Sequence, residues 1–116
     1  MTLVEDIASA LHDFRNLRAY RFDSSSEDQI CIIPGGGRAV QTFSDVDIEF
    51  PRVQIQVRDR DLATAEARVL AIKEILHNST NVDNTVIIHW DGRHPDYWLD
   101  DNGLNVFSIE FIVTRV

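Results

Sequence analysis

Between Phe50 and Asn78 the hydrophobic pattern changes from a period of two to a helical one. Val53, Ile55 and Val57 alternate with Arg52, Gln54, Gln56 and Arg58, which predicts a strand with one buried face. After the charged turn Arg58-Asp59-Arg60-Asp61, the positions Leu62, Ala65, Val69, Ile72 and Leu76 form a stripe along a helix from about Leu62 to His77. Asp61 is placed to cap it and Asn78-Ser79-Thr80-Asn81 to end it. Strand and helix seek the same core.

The rest of the chain extends this scheme. Leu3, Ile7, Leu11 and Phe14 make one stripe, so Thr2 to Phe14 reads as a first helix, with Thr2 and Glu5 at capping-box spacing. Glu5 and Asp6 put negative charge in its first turn, where it complements the helix dipole. Asp23 to Asp28 is polar and reads as an exposed loop, and Ile30–Ile33 as a short strand stopped by Pro34 and Gly35–Gly37. From Arg38 to Phe50 the pattern loosens, and the segment at about 35–50 reads as an extended arm or hairpin with one wet face.

Thr85 to Trp90 is nearly all apolar, which predicts a central strand. A loop follows from Asp91 to Gly103, carrying Tyr97, Trp98 and an Asp101-Asn102-Gly103 turn. Asn105 to Arg115 alternates again, with Phe107, Ile109, Phe111 and Val113 inward. The expected architecture is a single α+β domain over residues 1–116. It has a mainly antiparallel or mixed sheet of about four to five strands, with two main helices packed on one face.

Length and composition narrow the function. The 116 residues, 44% of them apolar, suffice for one core. No apolar run reaches the length of a membrane span, and the N-terminus carries acids where a secretory signal carries bases. Cys31 lies within an apolar run, where it reads as a buried small hydrophobe in a reducing cytoplasm. A formal charge of −8 speaks against a protein built to grip phosphate backbones, yet suits a surface that lets DNA pass without sticking.

The groups that could carry chemistry lack the spacing that chemistry needs. Gly35–Gly37 follows a strand but lacks the Lys and Ser/Thr of a phosphate loop. His89, Asp91, His94 and Asp96 are dense in ligand atoms but match no zinc spacing. Asp100-Asp101-Asn102-Gly103 lacks the spaced acids of a calcium loop. Asp45/Asp47 and Asp59/Asp61 read as solvated faces, turns or caps. No catalytic residue, cofactor or metal is therefore expected. Tyr97 and Trp98, outside the periodic segments, read either as lids over a small core or as interface anchors, and Phe43 and Phe50 pose the same choice.

Three segments taken in order resemble the tail terminator proteins of long-tailed bacteriophages. They are LVEDIASALHDF leading to ICIIPGGG, then FPRVQIQVRDRDLATAEARVLAIKEIL, and finally WLDDNGLNVFSIEFIVTRV. The resemblance implies a structural, non-enzymatic virion protein of the tail or neck, present in the host cytoplasm during assembly. It implies a homo-oligomeric ring, six copies in the family, that caps the head-proximal end of the tail tube and stops its polymerisation. It also implies contacts with the tail tube protein, the head-completion (stopper) protein and the tape measure protein, with DNA passing through unbound and no membrane.

On that reading Arg38, Phe43, Phe50, Arg58, Asp59, Tyr97 and Trp98 are candidates for the subunit or tube interface. A local salt bridge is the simpler role for Arg58 and Asp59. The alternatives are a head-completion, neck or minor capsid protein on the portal side, a small cytoplasmic enzyme or ligand-binding domain, and an acidic adaptor. A ligand-binding domain would show a pocket with convergent polar groups. An adaptor would gather its carboxylates on one surface, and here they are scattered.

Overall fold

The computed structural model describes residues 3–41, 47–80, 82, 85 and 87–115, with the side chains of 36–41 and 47–49 not described. Two helices pack against a six-stranded mixed sheet. Helix α1 spans Leu3–Ala10, and strands β1 (Leu17–Ala19), β2 (Gln29–Gln41) and β3 (Asp47–Asp59) follow. Helix α2 spans Leu62–Leu76, before β4 (Ile87–Trp90), β5 (Asp96–Leu99) and β6 (Asn105–Thr114). The sheet order is β1-β2-β3-β6-β4, with β5 also on β6. The β1–β2 pair is parallel and the others are antiparallel.

The register shows why the alternating segments became strands. Ile30, Val57 and Phe107 lie in one cross-strand row, Ile32, Ile55 and Ile109 in the next, then Val53 and Phe111. Both helices lie over these rows: Ile7 and Leu11 from the first helical segment, Ala65, Val69, Ile72 and Leu76 from α2, all in one core with the strand residues. Phe111 at its centre is fully buried, and truncating such a side chain to alanine costs about 3–5 kcal/mol. Asp61 caps α2 as expected, accepting from the Thr64 N–H at 3.1 Å.

Five expectations change. The first helix ends at Ala10, not Phe14, although Leu11 still bonds back to Ile7 at 3.0 Å; Thr2 lies outside the described residues. Strand β1 replaces part of an expected connection. Strand β2 is not stopped by Pro34, because a register shift between Pro34 and Gly37 absorbs the irregularity, and β1 pairs β2 only as far as Ile32. A Cβ on Gly35 would sit 3.2 Å from the Arg52 Cβ, so glycine lets the two strands pass closely. The run ending at Trp90 is an edge strand, and the central position belongs to β6. Lastly, β5 forms where a loop was expected.

One long-range tie was invisible in the sequence. Asp6, read as a first-turn acid that complements the helix dipole, is buried and receives a hydrogen bond from Arg115 beside the end of β6. A buried carboxylate is tolerated only when a partner charge compensates its lost hydration, so this pair fastens α1 to the far end of the chain.

Candidate assembly interface

Three surfaces hold the residues singled out by sequence, and the fold keeps them apart. The first is the hairpin. Past the register shift, β2 and β3 pair through Gly37↔Pro51, Arg38↔Phe50, Ala39↔Glu49, Val40↔Ile48 and Gln41↔Asp47. Strand β1 stops at Ile32 and β6 pairs β3 only from Arg52, so among the described residues this ribbon has no third strand. A two-stranded ribbon is marginal in water without further packing.

It also lengthens the molecule. The extents are 51 × 26 × 23 Å, and the 14.7 Å radius of gyration exceeds the roughly 13 Å typical of a compact chain of this length. Arg38 and Phe50 are thus direct cross-strand partners, with Phe50 half-buried at the base of the ribbon. Phe43 lies outside the described residues.

The second surface is a strap, residues 20–28, held to the end of β3 by Arg58. Arg58, only 8% exposed, donates from Nη2 to the carbonyls of Asp23 (2.9 Å) and Ser26 (2.7 Å) and from Nε to that of Glu27 (3.2 Å). Its guanidinium sits 4.6 Å from the centre of the Phe22 ring, a cation–π contact. Gln29 Nε2 donates to Asp23 Oδ1 at 2.6 Å, while its Oε1 accepts from the Asp23 N–H at 3.0 Å.

The Ser25 hydroxyl and N–H, then Arg18 and Gln29, stabilise the Asp23 carboxylate and hold its pKa far below the usual range. The Ser26 hydroxyl likewise lowers that of Asp28. The segment Asp23–Asp28 is a largely exposed loop, as expected, and it is also pinned to the sheet by Arg58 and Gln29. Arg58 acts here within the subunit. Asp59 does too, meeting Arg68 Nη1 at 2.9 Å and accepting from the Asp61 N–H at 2.8 Å.

The third surface is the β5 edge. All four of its residues are exposed, including Tyr97 (47%), Trp98 (39%) and Leu99 (60%). Tyr97 serves in part as a lid: its ring lies 4.9 Å from that of Phe107, and its hydroxyl donates to Asn105 Oδ1 at 2.6 Å. Asn105 Nδ2 in turn donates to the Arg60 carbonyl at 2.8 Å. The turn from β5 to β6 is built by Asp100, whose Oδ1 accepts from the N–H groups of Asn102 and Leu104, with Gly103 at φ 75°. Leu99 escaped the sequence reading; three large apolar residues running straight into an acidic turn were the signal available.

The histidine-rich segment divides in the structure. His89 projects from β4 near His77, whose Nδ1 accepts from the Trp90 N–H at 3.0 Å. His94, Asp91 and Asp96 line a polar cleft of about 230 Å³ in which Arg93 bridges Asp91 (3.1 Å) and Glu110 (3.0 Å). Those two carboxylates, Asp91 first, push the Arg93 pKa up. Among the described residues, no group of three or more His, Cys, Asp or Glu is arranged to hold a metal, and no helix is long and apolar enough to cross a membrane.

The fold, a sheet with helices packed over one face, has a solved counterpart. A chain from the virion of a native gene transfer agent particle shares the fold at a TM-score of 0.70 and 11% identity, covering 94% of this chain and 83% of that one. The chain itself belongs to the bacteriophage tail terminator family, whose model matches residues 3–116. It is a structural protein of the virion. No curated protein matches it.

Proposed function

We propose that the protein closes into a ring on the head-proximal end of the tail tube, stops tube polymerisation and presents the surface that joins tail to head. The projecting β2–β3 ribbon is the observation that most supports this reading. A ring requires a heterologous contact, one patch of a subunit meeting a different patch of the next, and a ribbon extending beyond its own sheet supplies such a patch. In the ring, the contact with the neighbouring subunit buries Phe50 or Phe43, and Arg38 is a further candidate for it.

One ring face fits the tube protein, and the other lacks the surface that recruits the next tube ring. The head-completion protein takes that second face, and the tape measure protein is contacted from the tube side. The net charge of −8 lets DNA traverse the ring without adhering. The protein performs no chemistry in this role; six copies follow from the family resemblance.

Electron microscopy of phage made with this reading frame stopped, then complemented, tests the reading. Overlong or ragged tails detached from filled heads, restored by complementation, are expected. Tails of normal length beside leaking heads would move the protein to head completion. In the purified protein, Phe50→Ala is expected to weaken ring assembly, read by light scattering; unchanged assembly would remove the ribbon from the contact.

A further inference from the structure

Strand β5 is an edge that the subunit leaves uncovered. It hydrogen-bonds to β6 on one side, and among the described residues no strand pairs with its other side. Exposed edges are ordinarily protected by lysine, proline or a covering segment, because their free N–H and C=O groups recruit further strands. Here the edge reads Asp96-Tyr97-Trp98-Leu99, with neither lysine nor proline, and its three large side chains stay exposed. Strand β4 prolongs it end to end along β6, the two together spanning Asn105–Ser108 and Phe111–Thr114.

On the opposite side of the sheet β1 covers β2 only over Ile30–Ile32, and from Ile33 to Gln41 the outer side of β2 has no strand partner among the described residues. The subunit therefore carries two open edges on opposite sides of one sheet. Their charges are complementary. Asp96, Asp100 and Asp101 make the β5 edge acidic, while Ile33–Gln41 contains Arg38 and no acid. The acids of the ribbon, Asp47 and Glu49, belong to its other strand, β3.

We infer that the β5 edge of one copy pairs with the open edge of β2 in the next over Gly37–Gln41, beyond Pro34 and the register shift, so that the sheet continues from subunit to subunit. The contact presupposes the ring proposed above and names the strands that make it. Strand sense fits as well. Both β2 and β5 stand one antiparallel step further from β3 and β6 respectively, so within a subunit they run in opposite directions. A neighbour in the same orientation thus offers β2 antiparallel to β5, the more stable form of pairing. Because β1 occupies Ile30–Ile32, the incoming strand can pair only beyond it, and adjacent copies are offset along the strands.

Cysteine cross-linking of the full chain tests this. Ala39→Cys and Trp98→Cys are made as separate, differently tagged variants in a Cys31→Ala background, mixed, assembled and oxidised. Val40→Cys and Leu99→Cys sample the adjacent register, and Ile75→Cys on the exposed side of α2 is the control. Mixed β2–β5 disulfides at twice the 13.3 kDa subunit mass are expected, with loss of the product when Ile75→Cys replaces either partner.

An assembled ring that yields no β2–β5 product overturns the strand pairing and leaves the ring intact. A protein that stays a single subunit at every concentration, alone and with tail tubes, overturns ring and pairing together. As a second readout, Leu99→Lys should reduce the assembly to single subunits with an unchanged circular dichroism spectrum; persistent assembly with that variant also overturns the pairing.

Discussion

The sheet has two flanks finished in different ways. On the β1–β3 flank, the strap of residues 20–28 folds back and is fixed by Arg58, which donates to three of its carbonyls, and by Gln29, which bonds both the backbone and the carboxylate of Asp23. On the β4–β5 flank nothing comparable arrives, and Tyr97, Trp98 and Leu99 remain in water. The difference teaches where a subunit invests its own chain and where it waits for another. The strap side is closed by the subunit's own chain while the β5 side stays open, so substitutions at Arg58 or Gln29 should act on folding and those at Leu99 should spare it.

The largest effect on the isolated subunit is expected at Arg58. Arg58→Ala removes three charge-assisted hydrogen bonds and the contact with the Phe22 ring from a buried side chain, so urea unfolding should show a loss of about 3 kcal/mol. Gln29→Ala strips the strap of its second anchor from a buried position, and a loss of about 2 kcal/mol is expected in the same measurement.

Asp23→Asn should lower the urea midpoint at neutral pH. Since the folded-state pKa of Asp23 lies below its unfolded value near about 4, its contribution is complete above that value and disappears as pH falls through the depressed folded value. The gap between variant and parent should therefore close in strong acid; a gap that persists there would show that the asparagine acts by another route.

The smallest effect on folding belongs to the other flank. Leu99→Ala should leave the isolated subunit within about 0.5 kcal/mol of the parent, because the side chain is already exposed. A large loss there would erase the distinction between the flanks.

Much of the core was legible because it depends on periodicity. Val53, Ile55 and Val57 in β3, the Leu62–Leu76 stripe and the alternation of β6 each specify a buried face within one segment. What escaped depends on partners distant in sequence. The apolar stretch ending at Trp90 resembled a central strand, yet its place was decided by β6 taking the position next to β3. Strands β1 and β5 are too short for a period to register.

The candidate surfaces were foreshadowed unevenly. Tyr97 and Trp98 stood out as aromatics beyond the periodic segments, and they do lie on an open edge. Arg58 stood out as a charge at a turn, but no local pattern foretold that it would gather three carbonyls from residues more than thirty positions earlier. Asp6 was read from its own helix, whereas its environment is set by Arg115.

The position of β6 has a consequence for timing. It follows every other element in the chain, yet β4 and β5 find their sheet partner only in it, and β3 finds its second. A nascent chain on the ribosome can form the β2–β3 ribbon and α2, but the β5 edge does not exist until residues 105–114 have emerged. Contacts of such long sequence separation also slow folding. Synthesis thus acts as a clock, since the sheet is completed only when the last strand has been made.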